Sequence, residues 1–170
     1  MDLKRRKNNL DNKINNKKIN LCSINNSYSE SVLRIIDANL NRCREGLRVV
    51  EDSLRFVLND GKLYKKIRDV RHNTDKILRN IYSCIIEKRN SFDDLGRQMP
   101  ETSKKDFRSI IIANFKRAQE SLRVLEEYSK IFYPEFSPEF KKQRYEAYTI
   151  EKAVYLKYKN FLWQDNTKRK

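Results

Sequence analysis

Residues 38–52 read Ala38-Asn39-Leu40-Asn41-Arg42-Cys43-Arg44-Glu45-Gly46-Leu47-Arg48-Val49-Val50-Glu51-Asp52. Seventy-five positions further on, residues 113–127 read Ala113-Asn114-Phe115-Lys116-Arg117-Ala118-Gln119-Glu120-Ser121-Leu122-Arg123-Val124-Leu125-Glu126-Glu127. Eight of the fifteen pairs are identical, and five of those eight are polar or charged. A solvated helix face accepts almost any polar residue, so packing alone preserves apolar positions and not polar ones. Polar identity across an internal repeat therefore points to a shared site.

Both copies read as helix. In the first, Ile36, Leu40, Cys43, Leu47, Val50, Leu54 and Val57 recur at alternating spacings of four and three, and in the second Ile111, Phe115, Ala118, Leu122, Leu125, Ser129 and Phe132 do the same. At about 100° per residue, Val49 and Phe56 are expected to widen the buried arc, as are Val124 and Ile131. Asn39, Gly46 and Ser53 fall inside that arc, matched by Asn114, Ser121 and Tyr128. Small or amide side chains within an apolar stripe mean either close helix approach or a ligand surface. Arg42 and Arg117 sit at the edge of the arc, where a guanidinium reaches inward while its stem packs. Glu45, Arg48 and Glu51, like Glu120, Arg123 and Glu126, lie on the polar side.

A chain of 170 residues suits one domain, and only three glycines and three prolines favour long helices over a turn-rich β architecture. The net charge of +15 favours anionic partners: nucleic acid, nucleotides or phosphorylated metabolites. Codon-driven inflation of Lys accounts equally well for the overall charge. Cys22, Cys43 and Cys84 are odd in number and have no metal-ligand spacing, which fits a reduced cytoplasm. No apolar run approaches a membrane span and the N-terminus has no hydrophobic signal core.

In chain order, residues 1–26 are rich in Lys and Asn without sustained period and are expected to form a disordered basic tail, the alternative being an electrostatic arm for nucleic acid. The helical domain is expected over 27–163. Ser27 to Glu30 has capping-box spacing ahead of a helix from about Ser29 to Leu58, which Asn59-Asp60-Gly61 stops. A second helix is expected from about Lys62 to Lys88. Between Arg89 and Ser103 the period is lost and Gly96 and Pro100 appear, giving one long central loop. A third helix opens near Lys104, capped from Ser103, and runs to Phe132. Ser137 and Pro138 begin a fourth, which ends near Trp163. Residues 164–170 are polar and are expected to fray.

The duplication extends into the second helix of each pair, where Arg68, His72, Asp75 and Lys76 align with Arg144, Tyr148, Glu151 and Lys152 at an offset of 76. Each half is a helical hairpin, and two hairpins make an all-α four-helix bundle.

No Gly-rich phosphate loop and no nucleophile–base pair is present. His72, the one histidine, lies near Arg68 and Arg71 and suits a structural hydrogen bond. What the repeat offers instead is arginine: Arg42, Arg48, Arg117 and Arg123, with Arg68, Arg71 and Arg144 on the companion helices. Guanidinium forks bind phosphate oxygens bidentately and stay charged. The plainer alternative makes Glu45 with Arg48, and Glu120 with Arg123, ordinary ion pairs three residues apart. Asp93 and Asp94 beside Gly96 suit Mg²⁺ held through one or two carboxylates, and equally suit a turn.

These residues resemble a known family. Arg34-Ile35-Ile36-Asp37-Ala38-Asn39, Arg42, Arg44 to Asp52, Arg55-Phe56, Arg68, Arg71-His72, Arg89-x-Ser91-x-x-Asp94-x-Gly96, Ala113 to Tyr128 and Arg144-Tyr145-x-x-Tyr148 are similar to the small all-helical hydroxymethylpyrimidine phosphate kinases. That family is found alone or fused ahead of thiamin phosphate synthase. The resemblance covers about residues 33–152 and departs at Asn90, where relatives often carry Asp. It implies ATP-dependent conversion of 4-amino-5-hydroxymethyl-2-methylpyrimidine phosphate to its diphosphate, with ATP and Mg²⁺ as cofactors. The chain ends before a synthase barrel could begin, so a stand-alone form is expected.

For that reaction positioning and charge neutralisation dominate, and an acceptor that is already an anion needs no general base. The expected geometry places the pyrimidine phosphate against Arg42 and Arg117, with Asn39 and Asn114 donating to it, in twin cradles turned toward one cavity. Asp94 orients Mg²⁺, and Arg48 or Arg123 stabilises transferred charge. Glu45, Glu120, Arg68, His72 and Arg144 are supporting residues. Two rival readings remain open: a non-catalytic partner module of thiamin phosphate synthase, and a basic nucleic-acid-binding bundle. Against the second, the first twenty residues hold seven Lys/Arg and only two Asp, so the helical region is less lopsided than the whole.

Overall fold

The structure is a computed structural model that describes residues 27–100, 103 and 106–162; the two expected tails and Trp163 lie outside the described residues. Helix α1 spans Ser27–Asp52 and continues as a π-helical turn, Ser53–Val57. Its expected apolar seam is buried from Ile36 through Leu54, whereas Val57 stands half exposed. Wider spacing ends the helix: the Leu58 N–H donates to the Ser53 carbonyl at 3.1 Å and the Asp60 N–H to the Leu54 carbonyl at 2.8 Å. Asn59 takes the left-handed conformation (φ 48°) there, a role an Asn fills at modest cost. Asp60 then caps α2 (Gly61–Leu78), accepting from the Lys62 and Leu63 N–H groups.

The second helix is not continuous to Lys88 as expected. A 3₁₀ turn at Arg79–Ile81 separates α2 from α3 (Tyr82–Glu87). In a 3₁₀ turn residues three apart eclipse, which brings Leu78 and Ile81 onto one face. Leu78, Ile81 and Ile85 are fully buried while Ile77 is only half-buried, so the tightened turn redirects the apolar seam and α3 packs against α1. Cys84 is disulfide-bonded, and Cys43 is free and buried.

Helix α4 spans Phe107–Phe132 and begins later than expected, because Asp106 and not Ser103 is its cap. The Asp106 carboxylate accepts from the Ser109 N–H at 2.7 Å and the Ser109 hydroxyl accepts from the Asp106 N–H. After a 3₁₀ turn at Pro134–Phe136, α5 runs Ser137–Leu162.

The two repeat helices form the centre of the bundle. The Tyr28 ring lies 6.4 Å from that of Phe132, and Gly46 faces the backbone of Asn114 and Ala118, so α1 and α4 run antiparallel. α2 packs on α1, α5 on α4, and α2 meets α5 to close a four-helix arrangement. Among the described residues there is no strand, and no helix is long and apolar enough to cross a membrane. Equivalent residues make equivalent contacts: Arg48 and Arg71 hold Glu51 as Arg123 and Arg144 hold Glu126, and Arg44 meets Asp75 as Gln119 meets Glu151. The expected widening of the buried arc is observed only at Val124, which is half-buried. Val49, Phe56 and Ile131 are exposed, the Phe56 ring carrying the Arg55 guanidinium at 4.7 Å.

Candidate functional site

One stripe of α1 carries Ser31, Arg34, Ala38, Asn41, Arg42 and Glu45, spaced by three and four and therefore on one face. Facing it is the chain from Arg89 to Leu95. Between them lies a cavity of about 760 Å³. Arg34 and Arg42 are eight residues apart, about 12 Å along the helix axis.

Side-chain contacts fasten the loop to α1. The Lys88 ammonium lies 2.7 Å from Glu30. The Arg89 guanidinium forks onto Asp37, with Nε at 2.7 Å from Oδ2 and Nη2 at 2.6 Å from Oδ1. Arg34 donates to the Asn90 carbonyl at 3.4 Å. Asp37 is buried, and its hydrogen bonds raise the Arg89 pKa above the ordinary guanidinium value. Beyond Arg89 the loop holds itself together. The Asn90 amide donates to Asp93 at 2.7 Å, and Asp94 accepts the Gly96 N–H at 2.8 Å as the cap of a short 3₁₀ turn, Leu95–Gln98.

Of the residues expected from the sequence, Asn39, Arg42, Glu45 and Asp94 line this cavity. Asn39 spends its amide on its own helix, donating to the Ile35 carbonyl at 2.9 Å. Asn114, Arg117 and Glu120 are not in the lining. Asn114 donates to the Ile110 carbonyl and accepts from Arg117 at 3.3 Å. Arg48 and Arg123 also lie outside it: Arg48 meets Glu51 and Asp52 at 3.2 Å each, and Arg123 meets Glu126 and Glu127 at 2.8 and 2.9 Å. Both ion pairs therefore run toward the helix C-terminus, not back to Glu45 and Glu120. Arg68 donates to His72 at 3.3 Å, both exposed. Arg144 grips the buried Glu126 with Nε and Nη2 at 2.9 and 2.7 Å, stacked near Tyr145 and Tyr148. The partner of Arg144 in the first copy is thus Arg71, which reaches Glu51 at 2.7 Å, and not Arg68.

The large cavity takes in Asn39 and Arg42 of the first copy, and their counterparts Asn114 and Arg117 are outside its lining. Asn114 lies across from Gly46 on the antiparallel helix, and among the described residues it is α1 that the loop following the first hairpin faces. Ser109 stands where the second copy would need an equivalent of Arg34, and it serves the helix cap. A second, smaller cavity of about 300 Å³ between α4 and α5 is lined mainly by Ile111, Ile112, Phe115, Tyr148 and Tyr155, with few polar atoms.

Sequence reasoning assigned no role to Arg34, Asp37 or Arg89. A signal for Asp37 was present: it lies four residues after Leu33 and three before Leu40, both buried, and an acid on a buried face requires a cationic partner. No group of three or more His, Cys, Asp or Glu able to hold a metal is found among the described residues. The paired carboxylates of Asp93 and Asp94 remain, each with one oxygen engaged by the loop itself.

The family model described as the ThiD2 family matches residues 34–153. The chain belongs to the ThiD2 family. The matched stretch takes in nearly all of the cavity stripe, the loop and both Glu-centred arginine clusters of this ThiD2 chain. Relatives of it include the thiamine-phosphate synthase of Rhodopirellula baltica, 39% identical over 137 residues, which are 78% of this chain and 36% of that protein. Those of Nostoc punctiforme and Prochlorococcus marinus (strain AS9601) are 38% and 39% identical over 123 residues, 71% of this chain and 34% of each relative. The ThiD2 chain thus spans about a third of the length of the curated relatives it matches. No solved structure matches it.

Proposed function

We propose that this chain is an ATP-dependent kinase of thiamine biosynthesis that converts 4-amino-5-hydroxymethyl-2-methylpyrimidine phosphate to its diphosphate. The observation that supports the reading is the composition of one cavity: Arg34 and Arg42 on a rigid helix, opposite the adjacent carboxylates of Asp93 and Asp94. Two guanidiniums about 12 Å apart along α1 suit two separate phosphate groups, donor and acceptor. In the transfer an oxygen of the acceptor monophosphate forms a bond to the γ-phosphorus of ATP, and the bond from that phosphorus to the departing ADP oxygen breaks. Residues that fix the two phosphates in line and offset their charge do most of what such a reaction requires.

The donor set on the loop fits Mg²⁺, an oxygen-seeking cation that proteins hold through one or two carboxylates plus substrate phosphates. Asp93 and Asp94 would hold it, and when bound it neutralises charge on the nucleotide phosphates. Arg42 binds the acceptor phosphate and Arg34 the nucleotide side, with Asn39 and Glu45 bordering the acceptor. Arg48, Arg123, Asn114 and Arg117 take no direct part in this geometry, while Glu126 with Arg144 and Glu51 with Arg71 join each helix pair.

Purified chain incubated with ATP, Mg²⁺ and the pyrimidine monophosphate is expected to form the diphosphate, followed by ³¹P NMR. Asp94→Asn keeps the acceptor for Gly96 but loses the charge, so the Mg²⁺ concentration for half-maximal rate is expected to rise tenfold or more while the fold is unchanged. A second reading is favoured by the relatives' names and by their length: a non-catalytic module that acts with thiamine-phosphate synthase. No turnover, together with measurable binding to a thiamine-phosphate synthase, establishes that reading over the kinase. A nucleic-acid-binding role predicts instead a salt-steep affinity for arbitrary DNA or RNA.

A further inference from the structure

We propose that Asp37, through Arg89, is the positioning residue that sets the loop Asn90–Leu95 over the arginines of α1. The proposal rests on the kinase reading of the same cavity. Three observations carry it. Asp37 borders the cavity from α1 with only 6% of its side chain exposed, so the carboxylate is fixed by the packing around it. Both of its oxygens are taken by one guanidinium in a planar fork at 2.7 and 2.6 Å, a geometry that fixes orientation as well as distance. Arg89 is the residue from which the cavity's far wall departs, four and five positions ahead of Asp93 and Asp94.

The other fastenings are weaker. Lys88 and Glu30 pair through partly exposed side chains, and Arg34 to the Asn90 carbonyl is a long 3.4 Å bond. Asn41 donates to the same Asp37 carboxylate at 3.3 Å, so the stripe that lines the cavity also steadies the latch. A side chain inside the helix seam thereby determines how far two acids stand from two cations that it does not touch. Displacement of catalytic groups by about 1 Å costs of order a hundredfold in rate, so the latch acts on turnover more than on binding.

Asp37→Asn keeps size and one acceptor but loses the charged fork; Arg89→Lys keeps the charge and loses the planar fork. In the full-length chain, hydrogen exchange of amides 90–96 is expected to accelerate about tenfold in Asp37→Asn, with exchange in α4 and α5 unchanged. The rate at saturating substrates is expected to fall about a hundredfold while KM for both substrates moves less than threefold. Arg89→Lys is expected to restore part of the loop protection and part of kcat relative to Arg89→Ala. Loop exchange and kcat both at wild-type values in Asp37→Asn would overturn the latch, whatever the activity proves to be. A wild-type chain inactive on the pyrimidine phosphate, with loop exchange accelerated in Asp37→Asn, refutes the kinase reading and leaves the latch standing. If Asp37→Asn fails to fold, the exchange and kcat comparison of Arg89→Lys with Arg89→Ala decides: equal values in the two overturn the proposal.

Discussion

Gly46 of α1 lies so close to Asn114 of α4 that a Cβ on the glycine would stand 2.9 Å from the Asn114 carbonyl oxygen. The opposing atom is backbone and cannot swing aside. Gly46→Ala gains up to about 1 kcal/mol of helix propensity, but forcing α1 and α4 apart costs about 1–3 kcal/mol in a packed seam. A net loss of stability is expected, read as a fall of a few degrees in Tm. Gly61→Ala, where no atom lies within 4 Å of the added Cβ, serves as the control and is expected to be neutral or slightly stabilising.

Removing one member of a Glu-centred cluster should cost more than removing both. Glu126 is buried and held by Arg144 and Arg123. Arg144→Met leaves its carboxylate without the main partner, which costs about 3–5 kcal/mol for a buried ion. The double variant Glu126→Gln with Arg144→Met is expected to recover part of that loss in urea unfolding.

Acid should weaken the α1–α2 turn through Asp60. Burial pushes its pKa up, but hydrogen bonds from Lys157, the Leu63 N–H and Tyr158 outweigh burial and bring it down to about 2. A carboxylate with a folded pKa below its unfolded value stabilises above the unfolded pKa and loses that contribution as pH falls from about 4 to about 2. The amount is about 2 kcal/mol. Asp60→Asn is expected to be less stable than the parent at pH 7 and to match it near pH 2, by urea unfolding at both.

The duplicated arginines should be unequal in activity. Arg42 lines the large cavity, while Arg117 lies outside it and donates to Asn114. On the kinase reading Arg42→Ala is expected to lower kcat/KM about a hundredfold and Arg117→Ala less than threefold. Equal losses in both would restore a symmetric pair of sites.

Much of the bundle was legible from spacing. The seam from Ile36 to Leu54 and its copy from Ile111 to Ser129 are buried because a period of three and four puts those side chains on one line whatever packs against it. The flank was misjudged, since whether Val49 or Phe56 is covered depends on a neighbour that the helix itself does not specify. The cavity was half legible: Arg42, Asn39 and Asp94 stand out as residue types, but Asp37 and Arg89 are 52 positions apart and meet only because α3 turns back onto α1.

By itself, the sequence determined that this chain makes long helices, since period, caps and the scarcity of Gly and Pro are local properties that act within a few residues. Tertiary structure decided where the large cavity falls: it takes in Asn39 and Arg42 of the first copy and not their counterparts Asn114 and Arg117. The buried Asp37 and Arg89, 52 positions apart, pair to hold the loop over α1, and a contact between residues so distant in the chain is no local property of either helix.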